Sequence, residues 1–191
     1  TRSEIGDAAI VLPADLTDPE ACQKVVSDTV DQLGGLDVLV NCAGDAPLQP
    51  IERITPEVWQ KCVDTNLSAV VHLTAAAFAV FRKQKSGFIA NVSSMASIDP
   101  FPGFNIYAAA KVGVNLFTKA TADEGQKRGI NAVAIAPGAI ETDMLRQNFK
   151  EKIIPKEKTL SPEQVATVLV ECICGEREFD PGETLALPSP S

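Results

Sequence analysis

The sequence predicts an α/β fold in which a mainly parallel sheet is covered by helices. Short apolar runs alternate along the chain with longer segments of helical periodicity, which is the pattern of repeated strand and helix units. The apolar runs are rich in Val, Ile, Leu and Ala, as expected of strands that are buried on both faces. Together these observations favour a sheet of the parallel kind.

Five segments are predicted to be strands, because each is short and rich in aliphatic residues. In chain order they are residues 8–12, 37–42, 88–93, 131–136 and 183–187. Residues 139–160 have weak periodicity and include a run of mixed charge at 150–158. This segment is interpreted either as a mobile flap or as a solvated surface loop, and the sequence favours neither.

Four helices are predicted in the gaps, and capping signals define their ends. The first spans 19–33, because Asp18 is a good N-cap, Pro19 follows it, and two glycines at 34–35 end the pattern. The second begins at 55–57 in the same fashion and runs to about residue 85, a length that predicts a break or bend near Asn66. The other two are expected at 106–128, ended by Gly129, and from Ser161-Pro162-Glu163 to Gly175.

The length and composition are those of a single globular domain over residues 1–191. Because 17 basic residues are scattered among 25 acidic ones, nucleic acid is not an expected partner. The longest nearly apolar stretch, 69–81, is shorter than the roughly 20 residues that cross a bilayer, so no membrane span is expected. The first residues lack the features of a secretory signal, and we expect a cytoplasmic protein.

The five cysteines are expected to be reduced and to hold no metal. Their number is odd, their spacings match no zinc or disulfide framework, and His72 is the one histidine available. Cys172 and Cys174 lie two positions apart on a predicted helix, so their side chains point in different directions.

One pair of residues has the chemistry of an acid-base catalyst. Tyr107, the single tyrosine, has Lys111 four positions later in a predicted helix, so that both side chains lie on one face. An ammonium about 4 to 6 Å away would lower the pKa of the phenol toward a working value, as carbonyl reduction requires. The main apolar stripe of this helix, 109–120, lies on roughly the opposite side, so Tyr107 is not an obvious core residue.

Two serines end the strand that precedes this helix. Ser93 and Ser94 lie at the edge of the sheet where parallel α/β folds gather ligand-binding groups. A hydroxyl there could hold a substrate oxygen, although a serine at the end of a strand is more often a cap or turn residue.

The segments NVSS and YAAAK, with Tyr107 thirteen residues after Ser94, resemble the active site of the short-chain dehydrogenase/reductase family. Other blocks in the same order are also similar to that family. They are ADLTD at 14–18, DVLVNCAG at 37–44, DTNLSA around Asn66 and PGAIET at 137–142. The blocks look most like those of members that reduce 3-oxoacyl-carrier-protein substrates.

The resemblance implies a doubly wound, Rossmann-type sheet and an enzyme that moves hydride between NADP or NAD and a carbonyl or alcohol. It implies that Tyr107 exchanges the proton and that Lys111 lowers the pKa of Tyr107 and holds the ribose of the cofactor. Ser94 would hold the reacting oxygen of the substrate, and Asn66 would anchor a water molecule. From its position in the sequence alone, Asn66 is equally interpreted as a buried amide that hydrogen-bonds with the backbone at a helix bend. The implied cofactor-binding residues are Asp15, Leu16, Asn41, Ala43, Gly44, Tyr107, Lys111, Pro137, Gly138, Ile140 and Thr142.

The sequence departs from the family at its front, where it has no Gly-rich phosphate loop. The first strand candidate resembles the family's third, so a strand-helix-strand unit is absent from this sequence. We expect either a longer protein, which we favour, or a remnant that holds dinucleotide poorly. A longer protein predicts a gap of about 14 Å between segments 8–12 and 37–42, and a closed remnant predicts direct pairing between them. The same missing unit carries the family's NAD or NADP determinant, and the resemblance leans toward NADP.

The alternative to an enzyme is a non-catalytic or truncated binding or regulatory protein of the same fold. Retention of Asn66, Ser94, Tyr107 and Lys111 together favours the enzyme. Four residues between Ser94 and Tyr107 suggest a substrate with an apolar body, namely Met95, Ile98, Phe101 and Phe104. In the family the two long helices at 57–85 and 106–128 pack on a second copy, which implies a homodimer or homotetramer.

Overall fold

The computed structural model describes residues 5–190 and contains one sheet of four parallel strands. Its spatial order equals its chain order, β1 to β4, and every neighbouring pair is parallel. The strands are β1 (Val38–Asn41), β2 (Gly87–Val92), β3 (Ile130–Pro137) and β4 (Thr184–Leu187). Four of the five predicted strands are therefore confirmed, with ends that differ by no more than one residue.

The helices are also close to their predicted positions. They are α1 (Pro19–Leu33), α2 (Pro56–Val63), α3 (Ala69–Gln84), α4 (Asn105–Gly125), α5 (Asp143–Asn148) and α6 (Pro162–Cys174). The Asp18 carboxylate accepts from the Glu20 amide at the start of α1, and Gly34 ends α1 with a φ of 82° that favours glycine. Ser161 and Gln164 form a reciprocal capping box at the start of α6.

The interruption predicted near Asn66 is a π-helical turn, Asp64–Ser68, that joins α2 to α3 without ending the helix. Extra residues in a helix change which side chains face inward, and such turns occur often at functional sites. Here α2 buries Cys62 against the start of α4, whereas α3 buries Ala77 and Phe81 on the sheet. Because of the turn, the first part of this helical run packs against α4 and the second part packs against the sheet.

Helices cover both faces of the sheet, as the predicted fold class requires. On one face α3 and α4 pack on Ile89 and Ala132, and α1 packs outside α3. On the other face α6 packs on Val133 and Ile135 through Val168 and Cys172. Because β2 and β3 are buried on both sides, the residues that follow them are held at one fixed edge of the sheet.

The strand predicted at residues 8–12 is wrong. A short 3-10 turn, Gly6–Ala8, is followed by irregular chain as far as Asp18. A strand needs a hydrogen-bonding neighbour, and within residues 5–190 the one partner of β1 is β2. Residues 8–12 therefore do not pair with β1, and the gap of about 14 Å between the two segments stays a prediction.

The orientation inferred for α4 is also wrong. Its apolar stripe faces outward, with Val112 48% and Leu116 69% exposed, whereas Tyr107 and Lys111 are buried on the inward face. The inward face is lined by small residues that allow close approach to the sheet; a Cβ on Gly125 would lie 2.7 Å from the Ile130 carbonyl oxygen. Close packing, rather than hydropathy, orients this helix.

Residues 139–160 are not simply a solvated loop. They contain α5 and a 3-10 turn at Lys156–Lys158, and they bury Phe149, Thr159 and Leu160. The interpretation as a flap remains a prediction about movement, but the segment does cover the cavity described below.

The helical run Pro56–Gln84 is 29 residues long and contains a window with mean hydropathy 1.3, so by length and composition it could cross a membrane. The run is longer than the stretch 69–81 considered in the sequence, but a single helix of this kind is weak evidence for a membrane span, because core helices pass the same test. In the structure its apolar residues are explained by packing, because α3 lies between the sheet and α1.

Candidate active site

One cavity of about 510 Å³ lies at the carboxyl edge of the sheet. Parallel strands bring the residues that follow them to the same edge, and in α/β proteins ligands bind there. The cavity is lined by residues that follow each of the four strands, by residues of α4 and by residues of the segment that contains α5. Among the predicted site residues, eight line it: Gly44, Ser94, Tyr107, Lys111, Pro137, Gly138, Ile140 and Thr142.

Tyr107 lies at the start of α4 and is 8% exposed. Its ring packs against Phe104, with 5.5 Å between the ring centroids. Burial raises the pKa of the Tyr107 hydroxyl, and a hydrogen bond with the Ser94 side chain acts in the opposite direction. The largest influence on this pKa is thus desolvation, not the lysine that the sequence suggested.

Lys111 lies one turn after Tyr107, and its ammonium is 5.7 Å from the centre of the Tyr107 ring. Nζ donates to the carbonyl oxygen of Val92, the last residue of β2, at 2.8 Å. Burial lowers the pKa of Lys111 to about 8, with nearby Cys42 and Cys62 acting in the opposite direction. The group can therefore exchange a proton close to neutral pH.

The two serines after β2 have different surroundings. Ser93 is buried and its hydroxyl donates to the Lys111 carbonyl, whereas Ser94 lines the cavity and caps the following 3-10 turn by accepting from the Ala96 amide at 3.1 Å. Ser97 reinforces that turn by donating to the Ser94 carbonyl at 2.6 Å. Both serines border the cavity, but Ser94 is the more exposed of the two, whereas the Ser93 hydroxyl is buried and bonded to the Lys111 carbonyl.

Asn66 is completely buried in the π-helical turn and satisfies backbone groups on two segments. Its Nδ2 donates to the carbonyl oxygens of Cys62 and Asp45, and its Oδ1 accepts from the Asp45 amide. A Cβ on Gly44 would lie 2.9 Å from Asn66 Oδ1 and 3.6 Å from Lys111 Nζ. Glycine at this position thus leaves the space beside both polar groups open.

The segment 137–142 after β3 presents backbone amides to the cavity. Gly138 donates to the Leu187 carbonyl, Ala139 to the Ser189 hydroxyl and Glu141 to the Leu160 carbonyl. Within residues 5–190, the amides of Ile140 and Thr142 donate to no acceptor in the protein. Both residues are partly exposed, so these two amides are accessible to water or to a bound molecule.

The remaining predicted cofactor residues do not line the large cavity. Leu16, Asn41 and Ala43 border a separate small cavity beside β1. Asp15 is exposed and its carboxylate accepts from the amide and hydroxyl of Thr17, which lowers its pKa. Asn41 is buried within the fold, with Nδ2 donating to Asn91 Oδ1 at 2.7 Å; its Oδ1 has no hydrogen-bond partner among the described residues.

Sequence reasoning missed a buried polar chain beneath the site. Asn91 in the middle of β2 receives the Asn41 amide and donates to Thr118 of α4 at 2.8 Å; Thr118 in turn donates to the Val114 carbonyl. A polar residue at the centre of an apolar strand was the available signal. This chain fixes α4, and therefore Tyr107 and Lys111, against β1 and β2.

Sequence reasoning also missed the closure of the apolar end of the cavity. Phe149, which follows α5, stacks on Phe101 and Phe104 with centroid distances of 5.9 and 5.7 Å. Asn148 donates to the Ala46 carbonyl at 2.8 Å, across 102 positions of sequence. No local pattern could have revealed a contact between segments so far apart.

Ionic and polar contacts fasten the same segment at its base. Arg146 forms a paired ion bridge with Glu141 and donates to the Ile154 carbonyl, and Thr159 also donates to Glu141. The pKa of Glu141 is lowered mainly by its hydrogen bond with Arg146. The segment therefore holds a defined conformation over the cavity.

Residues 1–153 match the family model described as short chain dehydrogenase. The chain belongs to the short-chain dehydrogenase family. It is thus an NAD(P)-dependent oxidoreductase, with NADP or NAD as its cofactor. Within the described residues no three His, Cys, Asp or Glu side chains converge as metal ligands.

Named relatives cover most of the chain. A 3-oxoacyl-acyl-carrier-protein reductase FabG of Vibrio cholerae is 33% identical over 187 residues, which are 95% of this chain and 77% of that protein. A 3beta-hydroxysteroid dehydrogenase 1 of Eggerthella lenta is 35% identical over 191 residues, 95% of this chain and 73% of that protein. The solved structure of ElxO with NADP bound superposes with a TM-score of 0.82 at 28% identity, covering 91% of this chain and 74% of that one.

The residues present fit the nicotinamide end of such a cofactor. The open space beside Gly44, the ammonium of Lys111 and the free amides of Ile140 and Thr142 border one cavity. The sequence contains no Gly-rich phosphate loop, so we assign no residue of this chain to the pyrophosphate.

Proposed function

We propose that this chain catalyses reversible hydride transfer between NADP or NAD and a small carbonyl or alcohol, with Tyr107 as the acid-base group. The observation that carries the proposal is that Ser94, Tyr107 and Lys111 border the same cavity as the free amides of Ile140 and Thr142. When bound, the nicotinamide supplies or accepts the hydride, and the protein supplies positioning and the proton.

In the direction of reduction, Tyr107 donates its hydroxyl proton to the carbonyl oxygen of the substrate. Burial raises the pKa of Tyr107, so the hydroxyl is protonated and ready to donate at neutral pH. Ser94 orients the same substrate oxygen, because its side chain borders the same cavity as Tyr107.

Lys111 has two roles in the proposal. Its ammonium stabilises the tyrosinate that forms, and it holds the ribose of the cofactor. With a pKa of about 8, Lys111 can also pass a proton on to restore the tyrosine. Asn66 holds the loop at Gly44 and Asp45 in place beside this ammonium, and both ends of its side chain are bonded to backbone groups. The proposal that Asn66 anchors a proton-carrying water rests on the family resemblance alone.

We propose that the substrate has an apolar body. The end of the cavity away from Lys111 is bordered by hydrophobic side chains: Met95, Phe101, Phe104, Met144, Leu145, Phe149, Ile153 and Ile154. Burying apolar surface there would stabilise the complex by roughly 25 cal/mol per Å². The preference for NADP over NAD rests on the NADP-bound relative and on resemblance to acyl-carrier-protein reductases.

We further propose that residues 1–191 form a single domain and that the protein is cytoplasmic and homo-oligomeric. The exposed apolar face of α4, with Val112 and Leu116, supports contact with a second copy, as a homodimer or a homotetramer built from dimers.

The proposal is tested with Tyr107→Phe in the full-length protein, assayed with NADPH and NADH and a panel of apolar ketones. Removal of one hydroxyl should lower kcat by about 10²- to 10⁴-fold and leave the Kd for the cofactor nearly unchanged. The matched control is Phe104→Tyr, which adds a hydroxyl beside Tyr107 without removing one. If Tyr107→Phe retains the turnover of the wild type, Tyr107 is not the acid-base group.

A wild-type protein that binds cofactor but reduces or oxidises no member of the panel would favour the alternative of a non-catalytic binding protein. Failure to bind either cofactor would contradict the assignment of the cavity itself.

A further inference from the structure

Ser189 lies on the chain that leaves β4 and contacts the cofactor-facing segment after β3. The Ala139 amide donates to Ser189 Oγ at 2.7 Å, and that hydroxyl donates back to the Ala139 carbonyl at 3.4 Å. Both residues line the large cavity. The Ser189 side chain thus hydrogen-bonds with both the amide and the carbonyl of Ala139, which lies in the wall of the cavity.

The local sequence holds this serine rigidly. Pro188 precedes Ser189 and Pro190 follows it, so its backbone is restricted to an extended conformation before any contact forms. The fit is close, because a Cβ on Gly138 would lie 2.4 Å from Ser189 Oγ and 2.6 Å from its amide nitrogen. Glycine at 138 is therefore required for the serine to approach.

The backbone amides of segment 137–142 therefore fall into two groups, those that donate to an acceptor in the protein and those that do not. Gly138 and Glu141 donate to backbone carbonyls of Leu187 and Leu160, and Ser189 takes the amide between them, that of Ala139. Within residues 5–190 this leaves Ile140 and Thr142 as the amides without an acceptor. Without the serine hydroxyl, the peptide between Gly138 and Ala139 would lose the acceptor of its amide. The next peptide is held by the Leu160 amide, which donates to the Ala139 carbonyl at 2.8 Å, so Ser189 and Leu160 together fix the direction of the Ile140 amide.

We propose that Ser189 is a positioning residue that fixes the segment 137–142 in the conformation that receives the carboxamide end of the nicotinamide cofactor. The inference rests on the proposed function, because it takes this segment to be the cofactor wall. It acts through the backbone of Ala139, and Ser189 itself does not touch the reacting atoms.

The first test is amide hydrogen exchange of the full-length protein without cofactor, in wild type, Ser189→Ala and Ser189→Thr. Loss of the hydroxyl should speed exchange at Ala139 by about threefold to tenfold, whereas threonine, which keeps a hydroxyl, should restore slow exchange. Ser86→Ala, an exposed serine on the far side of β2, is the matched control and should leave exchange at Ala139 unchanged. Unchanged exchange in Ser189→Ala would overturn the proposed contact.

The second test is the Kd for NADPH, measured by fluorescence titration on the same variants. We expect Ser189→Ala to weaken binding by about threefold to tenfold, with KM for the cofactor rising by more than kcat falls. Faster exchange with an unchanged Kd would show a contact that is only structural and would overturn the positioning role. If wild type binds neither cofactor, the proposed function fails, and the exchange result still reports on the contact alone.

Discussion

The two faces of α4 differ in an unusual way: the inward face buries polar side chains among small and aliphatic ones, whereas the outward face exposes large apolar side chains. The inward face carries Tyr107, Lys111 and Thr118, all of them buried, while the outward face carries Val112 and Leu116, both exposed. A helix normally turns its apolar stripe to the core. The inward face of α4 therefore provides hydrogen bonds and allows close approach to the sheet, whereas the outward face remains available to a partner.

Two of the inward polar groups, those of Lys111 and Thr118, are tolerable because each has hydrogen-bond partners. Lys111 donates to Val92, and Thr118 accepts from Asn91 and donates to Val114. Buried polar groups with partners cost little, whereas an unpaired one costs about 1–3 kcal/mol. Changes on the two faces of α4 should therefore have very different effects.

The largest effect is expected from Lys111→Met. Turnover should fall by about 10²-fold or more, because the ammonium that stabilises the tyrosinate is lost, and the Kd for the cofactor should rise with it. The same change should raise the free energy of unfolding at pH 7, because lowering the pKa of Lys111 from 10.5 to about 8 corresponds to roughly 3 kcal/mol.

The gain in free energy of unfolding from Lys111→Met depends on pH, because the pKa of Lys111 is lower in the folded protein than in the unfolded chain. Between pH 8 and 10 the unfolded wild type binds more protons at Lys111 than the folded protein, so wild-type stability rises relative to the variant. Urea unfolding at pH 7 and pH 9.5 should show the advantage of Lys111→Met shrinking at the higher pH. Tyr107, Cys42 and Cys62, the neighbouring titratable groups, are present in both proteins and largely cancel. An equal advantage at both pH values would contradict burial of the charged ammonium.

A smaller effect is expected from Thr118→Val on the same face. The change keeps the shape but removes the hydroxyl that accepts from the Asn91 amide, leaving a buried donor without a partner. The free energy of unfolding should fall by about 1–3 kcal/mol in urea denaturation. The matched control on the outward face is Val112→Thr, the reverse exchange at an exposed site, which should change it by less than about 0.5 kcal/mol. Equal losses at the two sites would remove the distinction between the faces.

The smallest effect on folding is expected from Leu116→Lys. Because this side chain is 69% exposed, the free energy of unfolding of the monomer should change by about 0.5 kcal/mol or less. Self-association should weaken, because a charge then lies in the centre of the apolar face. Light scattering at several protein concentrations would detect the loss of dimer, and an unchanged mass would place the contact between copies elsewhere.

Local signals and distant contacts explain which parts of the molecule could be predicted. The ends of α1 depend on Asp18, Pro19 and Gly34, which act within a few residues, and they were predicted correctly. Segment 8–12 has the composition of a strand but needs a neighbour that composition cannot supply, and the prediction there was wrong. The orientation of α4 was missed because hydropathy does not distinguish an apolar stripe that faces the core from one that stays exposed.

The same reasoning applies to the candidate site. The grouping of Ser94, Tyr107 and Lys111 at one cavity follows from their positions at a strand end and on one helix face, and the structure brings them together. Ser189 and Asn148 could not be found, because their contacts at Ala139 and Ala46 join residues separated by 50 and 102 positions.

The π-helical turn at Asp64–Ser68 limits how this part of the chain can change its length during evolution. In an α-helix each residue turns the chain by about 100°, so deleting one residue from the turn would rotate α2 by about that angle against α3. Cys62 would leave its place beside α4, and Asn66 would lose the carbonyls that hold it. Substitutions at the exposed positions of α2 can therefore accumulate over generations, while a single-codon deletion within the turn would be eliminated.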